Sequence, residues 1–285
     1  MLIIIGAVIV LGCVFGAFSV HGNLLVLIQP VEFVIILGAA VGAFIIGNTK
    51  ANIKQVFKGL KRAMKGPTFK KADYIELLSV LYQLFKLAKT KGMLALEQHV
   101  EKPDESTLFN QFPKFLKDHH ALEFLCDYLR MMTLGTENPN EVETLMDAEL
   151  ETHHQELHGA SHAVQTMADG MPALGIVAAV LGVIVTMGSI TEPPKVLGEL
   201  IGAALVGTFF GVLVSYGFLA PIAGAIQGVD SADAKYYQCM KAGLLAHMQG
   251  YPPAVSVEFA RKVLLSTERP NFYEVEQAVS ALPPV

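Results

Sequence analysis

The stretch GMPALGIVAAVLGVIVTMGSI, residues 170–190, decides the fold of this chain, because it contains no charged residue. A helix that crosses the hydrocarbon core of a bilayer needs about 20 mostly apolar residues. Three further stretches are similarly apolar, at about 2–20, 31–47 and 200–226, with Glu32 as their single charged residue. The sequence therefore predicts an all-α integral membrane protein with four transmembrane helices.

Charged residues are segregated from these apolar stretches. The chain is 52% hydrophobic and 16% charged, whereas soluble globular proteins carry about a quarter charged residues. The acidic and basic residues concentrate in 50–169 and 230–285. No basic stripe is interleaved with aromatic side chains, so the composition gives no support to nucleic-acid binding. This segregation indicates two environments, lipid and water.

The basic residues also predict the orientation of the chain. Of 21 lysines and arginines, 20 lie in 50–168 or 230–285, and only Lys195 lies in a loop on the other side. Because Lys and Arg are retained in cytoplasmic loops, both termini and the 50–168 loop are expected in the cytoplasm. The expected division is transmembrane helices 1 and 2 in 1–49, a large helical cytoplasmic domain in 50–168, transmembrane helices 3 and 4 in 169–228, and a cytoplasmic C-terminal helical tail in 229–285.

The first cytoplasmic segment is expected to be mostly helical. Asp73 with Glu76 three residues later is typical of a helix start, and Gly92 is typical of a helix end. A second amphipathic helix is expected from about 121 to 134. Asn140 is expected to open a long helix that continues into the third span.

Glycines recur four residues apart in the apolar stretches. Small residues at this spacing let helix backbones approach closely in a membrane. Packing within one chain and packing between copies are both open, and the number of such faces favours an oligomer. The pairs are Gly12 and Gly16, Gly38 and Gly42, Gly198 and Gly202, and Gly207 and Gly211.

No pattern typical of an enzyme active site occurs in the sequence. It contains no Gly-rich loop with lysine, no Gly-x-Ser-x-Gly and no HExxH. His154, His158 and His162 lie on one helix face, but the first and third are about 12 Å apart along the helix. A solvated polar face is therefore favoured over a metal site, and neither a metal nor a cofactor is expected.

Ionisable residues are absent from the middle of every predicted span. An ion relay through lipid normally needs such a group facing the bundle interior. Pro172 and Pro221, near the cytoplasmic ends of the last two spans, free backbone carbonyls and can bend their helices. Two interpretations stay open at this point: a passive helix bundle, or one wall of an ion path whose carboxylate comes from a partner. The same two spans carry the hydroxyls of Thr186, Thr208, Ser215 and Tyr216.

Several motifs resemble the MotA family of flagellar stator proteins. The segments from Pro172 to Gly182 and from Val206 to Pro221 resemble the third and fourth spans of that family. Gln29-Pro30-Val31-Glu32, Gly92-Met93-Leu94-Ala95-Leu96-Glu97 and the tail from Gly250 to Pro270 resemble it too, so the match covers nearly the whole chain in order. The related TolQ and ExbB proteins have one span before their cytoplasmic domain. This chain has two, which favours MotA.

The resemblance implies a stator subunit of the bacterial flagellar motor in the inner membrane. With MotB it would form a proton channel that converts ion flow into torque on the rotor protein FliG. It implies a pentameric ring around a MotB dimer, in which MotB supplies the membrane aspartate and the peptidoglycan anchor. The alternatives are a TolQ/ExbB-like proton-driven energiser of outer-membrane processes and a non-conducting membrane scaffold.

The resemblance also implies residues of the ion path. Pro172 and Pro221 match the two functional prolines of the family, and Thr208 and Tyr216 match residues that line the path. Sodium-driven relatives carry a threonine where this sequence has Ala179, and alanine offers no side-chain oxygen to replace the hydration shell of sodium. The transported ion is therefore expected to be H+ rather than Na+.

Two charged residues match the family's contacts with the rotor. These are Lys89 and Glu97, both in the predicted cytoplasmic domain. E. coli-like members carry arginine where Lys89 stands. Lysine keeps the charge but lacks the planar fork of a guanidinium.

Overall fold

The computed structural model describes residues 2–136 and 138–283, and these residues contain helices but no β-strand. The all-α class is therefore confirmed. The chain forms two compact units, one comprising Met1–Gly66 and Glu156–Val229, the other Pro67–Gln155 and Asp230–Val285. These are called the first and the second unit. The expected division between membrane and cytoplasm is a different one and stays a prediction.

The first unit begins with three helices joined by short links. Asn23 accepts a hydrogen bond from the Leu25 amide at the start of the short 3-10 helix. Thr49 accepts one from the Asn52 amide and so caps the third α-helix. That helix ends at Gly66, whose φ of 87° lies in a region that glycine adopts more readily than other residues. The elements are α1 (Leu2–Ser19), a 3-10 helix (Leu24–Leu27), α2 (Pro30–Gly47) and α3 (Lys50–Lys65).

Two long helical segments complete the first unit and continue beyond it along the chain. They consist of α8 (Pro139–Gly188), α9 (Pro194–Val214), a π-helical turn (Ser215–Leu219) and α10 (Ala220–Met248). Among the described residues, four helical segments are long and apolar enough to cross a membrane: Leu2–Ser19, Leu24–Gly47, Pro139–Gly188 and Pro194–Met248. They cover the four apolar stretches of the sequence, except for one or two residues at the ends of the stretches 2–20 and 170–190.

The second unit is built on large buried side chains. Its helices are α4 (Lys71–Lys91), α5 (Glu97–Glu101), α6 (Pro113–Lys117), α7 (His119–Thr133), α11 (Pro253–Lys262) and α12 (Phe272–Ser280), together with the adjoining parts of α8 and α10. Short 3-10 helices lie at Met93–Leu96, Pro103–Glu105 and Phe109–Gln111. Fully buried side chains in its core include Leu77, Leu81, Leu84, Phe85, Phe109, Phe115, Leu125 and Leu129.

The start of α4 differs from the predicted capping pair. The helix begins at Lys71, and Asp73 lies in its first turn, where its carboxylate accepts the Lys70 amide at 2.9 Å. Glu76 instead accepts the amides of Lys114 and Phe115, at 2.9 and 3.0 Å. A carboxylate predicted to cap its own helix therefore caps the start of α6.

The other helix ends are displaced by one or two residues. Asn138 accepts the Asn140 amide at 3.1 Å, so α8 begins at Pro139 rather than at Asn140. Proline is favoured at that position because a first-turn amide has no partner inside the helix. Asp118 accepts the Ala121 amide and lets α7 begin at His119. The predicted helix end at Gly92 is confirmed, with φ of 87°.

Candidate functional site

The helices that carry the predicted ion path, α8 and α9, meet along a seam of small residues in the first unit. A methyl group placed on Gly175 would lie 2.9 Å from the Gly207 carbonyl oxygen and 3.4 Å from the Gly211 Cα. One placed on Gly207 would lie 3.1 Å from the Ala178 Cβ. For the pair Gly207 and Gly211 the structure therefore supports packing within one chain, with the two backbones in contact.

Pro172 leaves one carbonyl of α8 without its helical partner, and the structure supplies another donor. Proline has no amide hydrogen, so it cannot donate to the carbonyl four residues earlier, that of Ala168. The hydroxyl of Ser215 donates to this carbonyl oxygen at 2.7 Å, and Ser215 is fully buried. The carbonyl that this proline leaves free in one helix is thus satisfied by a side chain that follows the next helix, as is usual for proline in membrane helices.

The second proline follows a local change of helix type. In the π-helical turn Ser215–Leu219, the Ala220 amide donates to the Ser215 carbonyl, five residues back. Pro221 comes directly after this turn and cannot donate to the carbonyl of Gly217. Single π-turns are frequent at functional sites. Ser215 therefore forms hydrogen bonds next to both prolines: its hydroxyl donates to the carbonyl that Pro172 leaves free, and its own carbonyl accepts the amide of Ala220, the residue before Pro221.

Of the remaining path residues, two lie at the same seam and two do not. The Thr208 hydroxyl lies 3.5 Å from the Gly175 carbonyl oxygen, and Ala179 is half-buried with its amide next to Gly207. Tyr216 and Pro221 are exposed. The structure thus brings Thr208 and Ala179 to one seam, whereas Tyr216 points away from the packed chain. The roles of these residues stay predictions.

Other glycine pairs have open faces. Methyl groups placed on Gly12, Gly16, Gly38 or Gly42 would meet no atom of the described chain within 4 Å. The same sequence spacing therefore corresponds to a closed contact between α8 and α9 and to free surface on α1 and α2. Free small-residue surface on a membrane helix is suited to another helix.

Lys89 and Glu97 are both exposed in the second unit, where the 3-10 helix Met93–Leu96 separates them. Lys89 lies in the last turn of α4, and Glu97 is the first residue of α5. Neither side chain forms an ion pair with another residue in the described ranges. Both charges are therefore available to a partner.

A buried imidazole, that of His99, and a half-buried one, that of His247, lie near this charged surface. The His247 ring stacks on Phe85, with centroids 4.5 Å apart. Burial, followed by the positive charge of Lys89, lowers the pKa of His247 below its usual range. Burial and Lys91 lower the pKa of His99 in the same way, and its Nδ1 lies 2.8 Å from the Ser106 hydroxyl. The neutral form of each ring is favoured.

The histidine face of α8 shows no metal-binding geometry. The ring centroids of His158 and His162 are 6.2 Å apart. Within 2–136 and 138–283, no group of three or more His, Cys, Asp and Glu side chains is placed to hold a metal ion. Any role of this face, including that of His154, is open.

Ser215 is the residue of the seam whose role the sequence analysis missed. It was noted as a hydroxyl in the fourth span, but no partner was assigned to it. Pro172 itself carried the signal, because a proline inside a helix predicts an orphan carbonyl at position 168. Which neighbouring hydroxyl would satisfy this carbonyl depends on how α8 and α9 pack.

Comparison with known families matches most of the chain. Residues 4–92 match the family described as Motility protein A N-terminal, and residues 117–237 match the MotA/TolQ/ExbB proton channel family. Motility protein A of Escherichia coli K12 is 43% identical over 283 residues, 99% of this chain and 96% of that protein. The chemotaxis protein LafT of Vibrio parahaemolyticus is 35% identical over 96% of each chain.

Solved structures share the fold. The structure of C. jejuni MotAB aligns with a TM-score of 0.74 over 93% of this chain and 95% of that chain, at 20% identity. The flagellar MotAB stator complex from Bacillus subtilis aligns with a TM-score of 0.69 over 90% and 92%, at 23% identity. At these identities the likeness concerns the fold. The family matches and the sequence identity to Motility protein A over nearly the full length show that this chain belongs to the MotA family, within the MotA/TolQ/ExbB proton channel family.

Proposed function

We propose that this chain is a stator subunit of the bacterial flagellar motor, which together with MotB conducts protons and converts their flow into torque. The observation that carries the proposal is the 43% identity to Motility protein A over 99% of the chain. The match to the proton channel family over residues 117–237 supports the proton as the conducted ion. Both MotAB structures with the same fold support MotB as the partner.

A partner carboxylate completes the chemistry of this proposal. The α8–α9 seam offers hydroxyls and backbone carbonyls, and its packed middle contains no ionisable residue in the described chain. Proton relays in membranes use ionisable groups facing the bundle interior. MotB supplies this group as an aspartate, as well as the anchor to peptidoglycan. Thr208 and Tyr216 line the path, and Ala179 leaves it without the second hydroxyl that a sodium site needs.

The two prolines act as bending points in the proposed mechanism. Protonation of the MotB aspartate removes a charge beside the seam and changes the bend of the helices at Pro172 and Pro221. Ser215 keeps the Ala168 carbonyl satisfied at the first of these points. Substituting Pro172 by alanine is then expected to reduce torque more than assembly.

Placement in the membrane follows the basic residues. Four spans cross the bacterial inner membrane, with both termini and the 50–168 loop in the cytoplasm. Reporter fusions near Gly66 and Gly250 then read cytoplasmic, and one near Pro194 reads periplasmic. Five copies of the chain form a ring around two copies of MotB. The open faces at Gly12, Gly16, Gly38 and Gly42 support such an assembly.

Lys89 and Glu97 form the contact with the rotor protein FliG. Both side chains are exposed and lack ion-pair partners among the described residues, so a charged partner surface can engage them without first breaking a salt bridge. Electrostatic contacts of this kind set register and the rate of engagement more than affinity.

The experiment that tests the proposal is complementation of a strain lacking its stator genes with this chain and its MotB partner. Swimming should return in sodium-free medium when the proton gradient is intact. Lys89→Glu and Glu97→Lys should impair swimming at unchanged membrane levels, while Lys117→Glu, an exposed lysine elsewhere in the second unit, should swim normally.

Suppression of either charge reversal by an opposite change in FliG would support direct contact. Rotation that stops without sodium and returns when sodium is added would overturn the proton assignment. Normal swimming of the double charge reversal would overturn the rotor interface. Failure of the wild-type pair to restore any motility, despite normal membrane levels, would refute the motor function itself.

A further inference from the structure

An apolar groove of about 380 Å³ lies in the first unit, between the end of α2, the helix α3 and parts of α8 and α10. Every residue that lines it is aliphatic, aromatic or methionine. Val41, Ile45 and Phe57 at its edge are 48%, 57% and 69% exposed. The volume is in the range of ligand pockets, but no polar group is present to orient a polar ligand.

The helix α3 presents three different sides. Ile53, Val56, Phe57 and Leu60 recur at helical spacing and line the groove. Gly59 lies on the packed side, where a methyl group in its place would be 3.1 Å from the Ile226 side chain. At 100° per residue, the third side, next to the groove, carries the lysines of the helix. These are Lys50, Lys54, Lys58, Lys61 and Lys65.

The lysine side is free of internal partners. All five lysines are exposed, and none forms an ion pair with another residue in the described ranges. Lysine stems can lie along apolar surface while the ammonium groups reach the polar region. A helix with an apolar stripe and a basic edge is typical of one that lies at a membrane surface and attracts anionic lipid.

Retention of positive charge in the cytoplasm explains the number of these lysines, but it does not explain why they share one face of the helix. That rule counts basic residues near the end of a span, whichever face they occupy. Here the lysines are confined to one side of α3, and that side borders a groove whose lining is entirely apolar. The shared location of the two features fits a ligand that is both apolar and anionic.

We propose that α3 and this groove bind an anionic glycerophospholipid of the surrounding membrane leaflet. One acyl chain lies in the groove against Phe57, and the phosphate lies beside Lys54, Lys58 and Lys61. This lipid site is independent of ion conduction and of the rotor contact, so it stands or falls separately from the motor function.

The test uses the full chain purified with its MotB partner in detergent. Dioleoyl phosphatidylglycerol, dioleoyl phosphatidylcholine or inorganic phosphate is added, and retained lipid is counted by native mass spectrometry together with the melting temperature. Phosphatidylglycerol should be retained and should raise the melting temperature, because it alone supplies both the acyl chain and the net negative headgroup. Phosphatidylcholine and phosphate should each have little effect.

Two variants separate the lysine edge from the groove. Lys54→Gln, Lys58→Gln and Lys61→Gln together should lower the apparent affinity for phosphatidylglycerol by about fivefold per lysine. Removal of the same charge at three exposed lysines of the second unit should leave it unchanged: Lys102→Gln, Lys117→Gln and Lys262→Gln. Phe57→Ser should also weaken retention, whereas Phe272→Ser, at another exposed phenylalanine, should not.

Equal retention of phosphatidylglycerol and phosphatidylcholine would overturn the proposal. So would an equal loss of retention in the two lysine triples. Efficient crosslinking of the Phe57→Cys variant to a second copy of the chain, with no difference between the two lipids, would show that the groove is instead covered by a neighbouring subunit. The melting temperature without lipid shows whether a variant is folded. If the lysine triple does not fold, the retention of phosphatidylglycerol by Phe57→Ser decides whether the groove binds lipid.

Discussion

The two units of this chain are held together by different kinds of contact. In the second unit, leucine and phenylalanine side chains fill a continuous core and many are fully buried. In the first unit, α1 has no buried residue at all, and α8 and α9 touch through Gly175, Gly207 and Gly211 with backbone against backbone.

The difference follows from the solvent that each unit is suited to. In water, removal of apolar side chains from solvent is the main favourable term in folding, so large side chains go inside. In lipid the surroundings are as apolar as leucine, and helices associate through close packing of small residues and hydrogen bonds between helices. Substitutions that remove volume should therefore damage the second unit, and substitutions that add volume should damage the seam of the first.

The largest effect is expected from Leu84→Ala in the second unit. Leu84 is fully buried, and truncation of such a leucine typically costs about 2–5 kcal/mol of unfolding free energy, because a cavity remains. The matched control is Leu134→Ala, at a leucine that is 81% exposed, which should change stability by about 0.5 kcal/mol or less. Denaturant unfolding followed by circular dichroism measures both, and equal effects would contradict a side-chain core.

The next effect is expected from Gly211→Ala in the first unit. The added methyl group would lie 2.6 Å from the Met171 carbonyl oxygen and 3.1 Å from the Gly175 Cα, so α8 and α9 must move apart. Overpacking of this kind costs about 1–3 kcal/mol. Gly224→Ala, where a methyl group meets nothing within 4 Å, is the control. A melting temperature that falls no further for Gly211→Ala than for the control would argue against the seam.

Ser215→Ala should cost somewhat less, about 1–2 kcal/mol, because it leaves the buried Ala168 carbonyl without its donor. The double-mutant cycle with Pro172→Ala sharpens this prediction. Alanine at position 172 restores an amide that can donate to the same carbonyl, so loss of the serine hydroxyl should cost less in that background. Additive losses of thermal stability would mean that the two sites are not coupled through this carbonyl.

The smallest effect concerns pH and the second unit. The pKa of His247 is lowered in the folded state, so the unfolded chain takes up the proton first as pH falls. The unfolding free energy should therefore decrease as pH falls below about 6.5, the ordinary pKa of histidine. His247→Gln should flatten this decrease, whereas His120→Gln, at an exposed position, should leave it unchanged. Unfolding curves of the three proteins, measured above and below this pH, test the prediction. An equally steep decrease in His247→Gln and in the unchanged chain would contradict it.

Much of the architecture could be predicted because it depends on local sequence. Apolar stretches of spanning length, with Glu32 as their single charged residue, identify the four apolar helical segments, which the structure contains. Gly92 ends its helix as predicted, because a left-handed backbone conformation there favours glycine. Helix α3 lies in the segment expected to be mostly helical but is not predicted individually, because its lysines indicate only orientation there, although Ile53, Val56, Phe57 and Leu60 follow a helical period.

Only the tertiary structure shows which of several positions that look alike in the sequence forms a given contact. Gly207 and Gly12 belong to the same kind of sequence pair, yet one is closed by α8 and the other faces free space. Pro172 predicts an orphan carbonyl, but only the packing of α9 on α8 selects Ser215 as the donor. The physical reason is range: propensity, hydropathy and helix ends act over a few residues, whereas contacts between helices bring together positions 33 to 47 residues apart.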